Sequence, residues 1–439
     1  MEFILKSKPN IILFITHDQG QFLGCYDSPQ TPNSLSTPNL DQIAEKGVKF
    51  TNYFCTAPQC SPSRGSIMTS KFPHQNGLMG LVNRGWTLPD SNITLPMYLK
   101  ENDYGTHLIG LEHETNDVAT LGYDTVSKRM KYQRFTTDKL EKDFLEFIEK
   151  HKHDEDPFFV NMGTFEIHRP FEIWNIQVNP QRVKVPPFLP DNEIVRKDLG
   201  LYYGVINKVD VTIGKILEKL EETDLREDTL FIYTTDHGSP FPRAKCTLYD
   251  PGIKTLLIMN RPNSPHFGSG KVIDQMISNI DLLPTLLDSI GAKIPKNIEG
   301  KSFLPLLTNN RLSFRDEIFT EKTFHDIYDP IRSIRTTKYK YIRNFEKFDY
   351  LYHIPADMEI GPYGKSIQKQ IFETYNTPRM EEEFYDLEND PNEKFNLIDN
   401  PTYKDAILEL KNRLFNWMKM TSDPLLKGKV QPQLGWAPL

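Results

Sequence analysis

Five groups of polar residues in this 439-residue chain could do chemistry: His17-Asp18, the run Cys60-Ser-Pro-Ser-Arg64-Gly65, His113, His168 and Asp236-His237. Carboxylates and imidazoles grip divalent metals and move protons, and a side chain beside them can serve as a nucleophile. Each group follows a short apolar run. In a doubly wound sheet, ligands gather at the carboxyl ends of the strands, so residues placed there share one edge. Any one of them alone is the kind of residue that caps or solvates a strand end, and the weight lies in the collective pattern. The four cysteines are Cys25, Cys55, Cys60 and Cys246; there is no CxxC, and the Cys55-to-Cys60 spacing is not a zinc pattern. In a chain of this length they read as reduced, intracellular thiols, three of them as small buried hydrophobes. Cys60 is set apart by its flanks.

The elements that must position these groups can be read from the apolar pattern. Residues 11–15, Ile-Ile-Leu-Phe-Ile, form a continuous apolar run that predicts a buried parallel strand ending at His17-Asp18. Thr37 and Pro38 predict a helix start, with Leu40 and Ile43 opening its apolar face. Residues 48–54 predict a strand, and a helix is expected to start at 66–69. Further strands are expected at 106–110, before His113, at 158–162, before Glu166 and His168, and at 229–233, before Asp236-His237. Apolar positions Val205, Val209, Ile213, Ile216 and Leu217 predict a long amphipathic helix over 199–222. Strands alternating with helices give an α/β fold, a large mostly parallel sheet sandwiched by helices. Beyond residue 330 the texture changes: a hairpin is expected at 331–336 and 339–343, a strand at 383–387 and a helix at 403–418. Two units are therefore expected, a catalytic domain over 1–330 and a small C-terminal α+β subdomain with an antiparallel sheet over 331–439. Residues 345–380, rich in Tyr and Pro, have weak periodicity and read as an insertion.

Bulk properties narrow the partners. A net charge of −7 and 25% charged residues give no reason to expect nucleic-acid binding, and any anion site must be locally basic. No apolar run is long enough to span a bilayer, and the short apolar stretch in residues 1–9 lacks the features of a signal peptide. A cytoplasmic location is the expectation.

The run Cys60-Ser-Pro-Ser-Arg64 resembles the consensus of the sulfatase family, in which Cys is followed two residues later by Pro and four later by Arg. The flanks are similar too: Thr37-Pro-Asn-Leu-Asp41 and Gly47-Val-Lys-Phe50 before it, Met68-Thr-Ser70 and Gly77 after it. The likeness runs from Pro9 to Pro424. Pro73-His-Gln-Asn-Gly77, His168-Arg169, Pro240-Phe-Pro242, Leu248-Tyr249 with Pro251-Gly252 and Pro330-Ile-Arg-Ser333 look most like the heparan N-sulfatases (N-sulfoglucosamine sulfohydrolases). The resemblance implies an alkaline phosphatase-like fold and a Cys60 oxidised by a maturation enzyme to formylglycine. Its hydrated aldehyde would attack sulfur with one hydroxyl, form a covalent intermediate and expel the anion as the aldehyde reforms. Both steps build negative charge, which calls for a divalent cation and basic side chains.

By the same resemblance, Asp18, Asp236, His237 and the residue-60 oxygen would hold the metal, with His17 a further candidate. Arg64 would hold formylglycine, where its planar fork matters, and Lys245 would contact the transferred group. His113 matches a family histidine, and His168 matches one that could protonate the leaving group. His74, His325 and Asp326 would lie near a substrate pocket. The chain departs from the family at His17-Asp18 (Asp-Asp expected), at Asp236-His237 (Asp-Asn expected) and at Leu111, where a Lys is expected. Family majority implies Ca²⁺, whereas imidazole ligands suit Mn²⁺ or Zn²⁺. Phosphonate monoester hydrolases, formylglycine relatives, resemble this chain in their Asp-His pair. Two activities are therefore expected in order: hydrolysis of a sulfate ester or sulfamate, with glucosamine N-sulfate as one such sugar, and hydrolysis of phosphonate monoesters or phosphodiesters. Expected partners are a small-molecule or saccharide sulfated substrate, the formylglycine-generating enzyme and a second copy of the chain in a homo-oligomer. Neither nucleic acid nor membrane is expected.

Overall fold

The computed structural model describes residues 8–127, 136–308, 313–374 and 377–438; most of the apolar stretch considered above as a leader, residues 1–7, lies outside them. The large sheet contains β1 (Asn10–Thr16), β2 (Val48–Phe54), β3 (Gly105–Gly110), β4 (Thr125–Val126), β5 (Phe158–Gly163), β6 (Thr229–Thr235), β7 (Lys254–Asn260), β8 (Lys271–Ile273) and β9 (Ile277–Ser278). Their order is β4-β3-β5-β1-β6-β7-β2-β8, with β9 beside the far end of β2. Only β7 runs against its neighbours β6 and β2; the other pairings are parallel.

The run at 11–15 is apolar throughout because both faces of β1 are covered. Ile12 and Phe14 point into one core, with the helices Thr137–His151 and Glu193–Glu222. Ile11, Leu13 and Ile15 point into the other, with Ile67, Leu283 and Leu286. Successive side chains of a strand alternate in this way. All five are fully buried, each stabilising the fold by about 1.5–3 kcal/mol relative to exposure.

Several local expectations shift. The long helix begins at Glu193 rather than 199, because the Asn192 side chain accepts from Val195 N at 3.1 Å and caps it. Pro38 opens its helix as expected, but Thr37 does not cap it: its hydroxyl bonds Asp41 (2.9 Å) and accepts from Gly24 N (2.9 Å). The helix expected to start at 66–69 spans Cys60–Thr69. Pro62 sits in its first turn, where a missing N–H costs nothing.

A second sheet is antiparallel in the order β10 (Glu317–Phe324), β11 (Tyr328–Thr336), β12 (Tyr339–Asn344), β13 (Glu382–Asp386). β10 and the start of β11 precede residue 331, so this sheet straddles the division read from the sequence texture. The helix Lys404–Met420 lays Leu410, Leu414 and Met418 on Ile334, Tyr341 and Phe384. The insertion at 345–380 contains the short turn Ala356–Glu359 and the helix Gly364–Thr374. Among the described residues, no helix is long and apolar enough to cross a membrane.

Buried charge also ties the second sheet to the segment after its helix. Arg332 on β11 donates to Asp423 from Nε (2.6 Å) and Nη2 (3.2 Å) and lies 3.8 Å from Glu321. Arg332→Met should therefore destabilise the protein by about 3–5 kcal/mol, since it leaves carboxylates buried without their cation. A urea midpoint equal to that of the parent protein would count against this account.

Candidate active site

β1, β2, β3, β5 and β6 all run in one direction, so the segments after them emerge at one edge of the sheet. That edge receives His17-Asp18 from β1, Cys60 from the segment after β2, His113 after β3, His168 after β5 and Asp236-His237 after β6. Because β7 is reversed, the segment leading into it, with Lys245, reaches the same edge. The parallel topology thus assembles residues up to 227 positions apart: Lys245 Nζ donates to Asp18 Oδ2 at 2.8 Å.

Ligand atoms of His17, Asp18, Cys60, Asp236 and His237 all lie within 4.8 Å of one another, and all five residues are buried. Cys60 Sγ is 3.3 Å from His237 Nε2, 3.6 Å from His17 Nδ1 and 3.8 Å from Asp18 Oδ1. His237 Nε2 lies 3.0 Å from Asp18 Oδ1. The other ring nitrogen of His237, Nδ1, is 2.9 Å from Gly238 O. A backbone carbonyl accepts only from N–H, so Nδ1 carries a proton there and Nε2 faces the cluster. His17 also faces inward, its Nδ1 being 3.1 Å from Asp18 and 3.4 Å from Asp236, and burial lowers its pKa to about 4. Two carboxylates and two ring nitrogens converging on one point are the donor set of a divalent cation, and the residues fit one.

The second layer fixes these groups. Arg64, wholly buried, donates from Nε to Asp236 Oδ2 (3.0 Å) and from Nη2 to Thr16 O (3.0 Å). Its fork therefore braces Asp236 against the end of β1 and reaches the residue-60 environment through that carboxylate. Asp236 Oδ1 accepts from Asp18 N (3.0 Å) and His237 N (2.9 Å). Asp18 adopts a left-handed backbone, φ 51°, unusual for a residue with a side chain. Tyr202 on the long helix holds that bend, donating to Asp18 O (3.0 Å) and Gln19 O (2.8 Å). Burial alone would raise both carboxyls. Lys245, His237 and His168 hold Asp18 well below the usual carboxylate range, and His237, His17 and Arg64 do the same for Asp236.

Around the cluster stand the groups that could handle a bound anion. Lys245 Nζ lies between Asp18 (2.8 Å) and Asp357 (2.5 Å), which hold its ammonium well above its ordinary pKa against the effect of burial. His168 Nε2 is 3.1 Å from Asp357 and 3.9 Å from Asp18, while its Nδ1 is 2.7 Å from Arg169 O. Both ring nitrogens face oxygen acceptors, which fix the ring's orientation from both ends. His113 packs 5.9 Å from the His17 ring, and burial holds it well below its ordinary pKa. Asp357 is the residue that sequence reasoning missed. It comes from the weakly periodic insertion, and no local pattern marks it. Asp326 places it: Asp326 Oδ2 accepts from Ala356 N at 2.8 Å. Asp326 also lies beside His325 Nδ1 (3.3 Å), Arg84 Nη2 (3.3 Å) and His353 Nε2 (3.6 Å).

His74 is placed elsewhere. Its Nδ1 meets Glu321, its N–H donates to Glu321 Oε1 (2.8 Å), and its ring stacks on Phe72 and meets Trp417 edge-on at 5.4 Å. That cluster, with Asp423, sits at the junction with the terminal helix.

Residues 9–292 match the family model described as Sulfatase, and residues 243–362 match that described as N-sulphoglucosamine sulphohydrolase, C-terminal. An ulvan-active sulfatase of Formosa agariphila is 28% identical, over 96% of this chain and 76% of that protein. Human N-sulphoglucosamine sulphohydrolase is 26% identical, over 98% of this chain and 95% of that protein. A solved structure described as a complex with its substrate D-glucosamine-2-N,6-O-disulfate superposes with a TM-score of 0.74 at 20% identity, over 97% of this chain and 100% of that one. Another, a complex with a neocarrahexaose, gives 0.71 at 20% identity, over 96% and 99%.

Burial makes a prediction about the thiols. Cys60 is 3% exposed, Cys55 and Cys246 are buried, and burial together with Asp41 pushes the half-buried Cys25 well above its ordinary pKa. Attack on a disulfide reagent needs an accessible thiolate. Native protein at neutral pH should thus release almost no chromophore from such a reagent within minutes, and guanidinium-unfolded chains should then react fully. Rapid reaction in the native state would contradict the packing described.

Proposed function

Because the chain belongs to the sulfatase family, we propose that it hydrolyses a sulfate ester or sulfamate on a sugar, using a formylglycine made from Cys60 and one divalent metal ion. The observation that carries this reading is the convergence of Cys60 with His17, Asp18, Asp236 and His237 within 4.8 Å. Sugars are the proposed substrates because the similar proteins are named for ulvan and N-sulphoglucosamine, and one solved neighbour holds a sulfated glucosamine.

When present, formylglycine and the ion would supply the attacking oxygen and the Lewis acidity that activates it. The chain's own residues do the rest. Residue 60 opens the helix Cys60–Thr69, whose N-terminal dipole favours negative charge at its side chain. Ser63 Oγ donates to Asp236 O, and Asn279 Nδ2 donates to Ser63 Oγ at 3.0 Å, so that helix start is pinned to the end of β6. Asp18, Asp236 and the Nε2 of His237 would ligate the ion, joined by His17 Nδ1. Arg64 keeps Asp236 ionised and oriented. Lys245 neutralises charge on the transferred group, and His168 delivers a proton from Nε2 to the departing oxygen or nitrogen. The imidazole content favours Mn²⁺ or Zn²⁺ over Ca²⁺. It is also the feature that supports phosphonate monoesters as a second substrate class.

Two measurements test this reading. Cys60→Ala should remove turnover of an aryl sulfate and of glucosamine N-sulfate with an unchanged circular dichroism spectrum; retained turnover would dismiss Cys60 as the nucleophile's source. Chelation should abolish activity, and Mn²⁺ or Zn²⁺ should restore it better than Ca²⁺, in assays that include an aryl phosphonate monoester. Full activity in metal-free protein would refute the metal assignment, and preference for the phosphonate would transfer the chain to the second substrate class.

A further inference from the structure

A groove of about 370 Å³ lies in the segment after β12, outside the Cys60 site. One wall carries Tyr350, Tyr352 and His353; the other carries Lys365, Gln368 and Lys369 from the helix Gly364–Thr374. Its volume is that of small-ligand pockets, and its lining is their usual mixture of aromatic rings and a few polar groups. Lys365 and Lys369 are four residues apart and so share one helix face. In a chain of net charge −7, two ammonium groups opposite an aromatic wall are a local reversal of sign. Lys369 is offset only by Glu373 at 4.0 Å, with both side chains largely exposed, which makes for a weak pair. Among the described residues, Lys365 makes no ion pair.

The walls are braced. Tyr350 stacks on Phe348 at 4.9 Å, and the Arg379 guanidinium covers the Phe348 ring at 4.5 Å. Tyr352 is buried and meets Tyr249 edge-on at 6.5 Å. The helix is tied to the main domain, since Asn192 Nδ2 donates to Gln370 Oε1 at 2.8 Å. Amphipathic aromatic faces held in place in this way suit the alternating C–H and hydroxyl surface of a pyranose ring.

The groove's wall leads along the chain to the reaction site. His353, on its wall, lies 3.6 Å from Asp326 Oδ2, and the same oxygen accepts from Ala356 N at 2.8 Å. The next residue, Asp357, touches Lys245 and His168. From His353 to Asp357 the chain can span at most about 14 Å, the scale of a short saccharide.

We propose that this groove is a second saccharide subsite, binding an anionic sugar unit, one bearing a carboxylate or sulfate, linked to the unit whose sulfo group faces Cys60. The proposal rests on the sulfatase reading above and names the substrate class as oligosaccharide. Tyr350 takes the ring face, with Tyr352 behind it in the wall, and Lys365 and Lys369 take the anionic substituent.

The test compares wild type with K365E/K369E and Y350A. Each is assayed on an aryl sulfate and on an N-sulfated, uronate-containing tetrasaccharide, alongside a carboxyl-reduced version of the latter. Tetrasaccharide affinity is also measured by calorimetry in proteins that carry Cys60→Ala. The double charge reversal should raise KM and Kd for the tetrasaccharide about tenfold, the equivalent of 1.4 kcal/mol, and leave aryl sulfate turnover unchanged. Y350A should act in the same direction. A smaller loss with the carboxyl-reduced sugar assigns the lysines to the uronate; an equal loss assigns them to sulfate. Unchanged tetrasaccharide KM and Kd in K365E/K369E, or parallel losses on both substrates, would overturn the subsite. If wild type hydrolyses none of the compounds, the sulfatase reading fails, while the Kd comparison in the Cys60→Ala background still decides the groove.

Discussion

Asp18 and Asp236 are two carboxylates without solvent contact, and Asp18 N donates to Asp236 Oδ1 at 3.0 Å. Burying such a pair is costly unless cations sit against it. Much of the site can be read as the answer to that cost. Arg64 covers Asp236 from below, Lys245 covers Asp18 from the side, and the histidine nitrogens crowd the space between. Asp357 then takes up part of the Lys245 charge. Asp18, Asp236 and Asp357 thus stand among Arg64, Lys245 and the rings of His17, His168 and His237 beside Cys60. On the function proposed above, a divalent cation would sit among these carboxylates, and the same electrostatics that crowd the site would select it.

The backbone makes this concentration of charge feasible. A parallel sheet sends every following loop to one edge, and a single reversed strand brings a sixth segment there. The apolar strands are covered on both faces, so the edge rests on a scaffold that cannot easily yield. Asp18 can then be held at φ 51° by Tyr202, a residue of a 30-residue helix that is itself part of the core. Rigidity made by hydrophobic burial is converted, through the Tyr202 hydroxyl, into placement of the Asp18 carboxylate.

Much of this was legible in the sequence because it is written in local patterns. Continuous apolar runs located β1, β5 and β6, and the polar residues after them located the site. His237, too, could be singled out from its place beside Asp236. What local patterns do not carry was lost. The start of the Cys60 helix was read too late, because Cys-Ser-Pro-Ser looks like a loop unless Pro62 is credited to a first turn. The inward aim of His17 depends on a ring orientation set by Asp18 and Asp236, not by its neighbours in sequence. His74 sits in a conspicuous motif, yet its ring is held by Glu321, a residue 247 positions away.

Asp357 marks the deeper limit. It reaches Lys245 across 112 positions from a segment with no periodicity to read, and it enters the site only because Asp326 grips the preceding peptide. The catalytic edge is made by strands whose order the fold dictates. The segment beyond β12 is instead an irregular excursion attached to that edge at Asp326 and Asp357. Irregular segments on a rigid scaffold are where binding preferences are set. On the proposed function, residues 345–380 are the part of the chain best placed to influence which substrate reaches Cys60, and Asp357, between Lys245 and His168, is the carboxylate by which that segment touches the site.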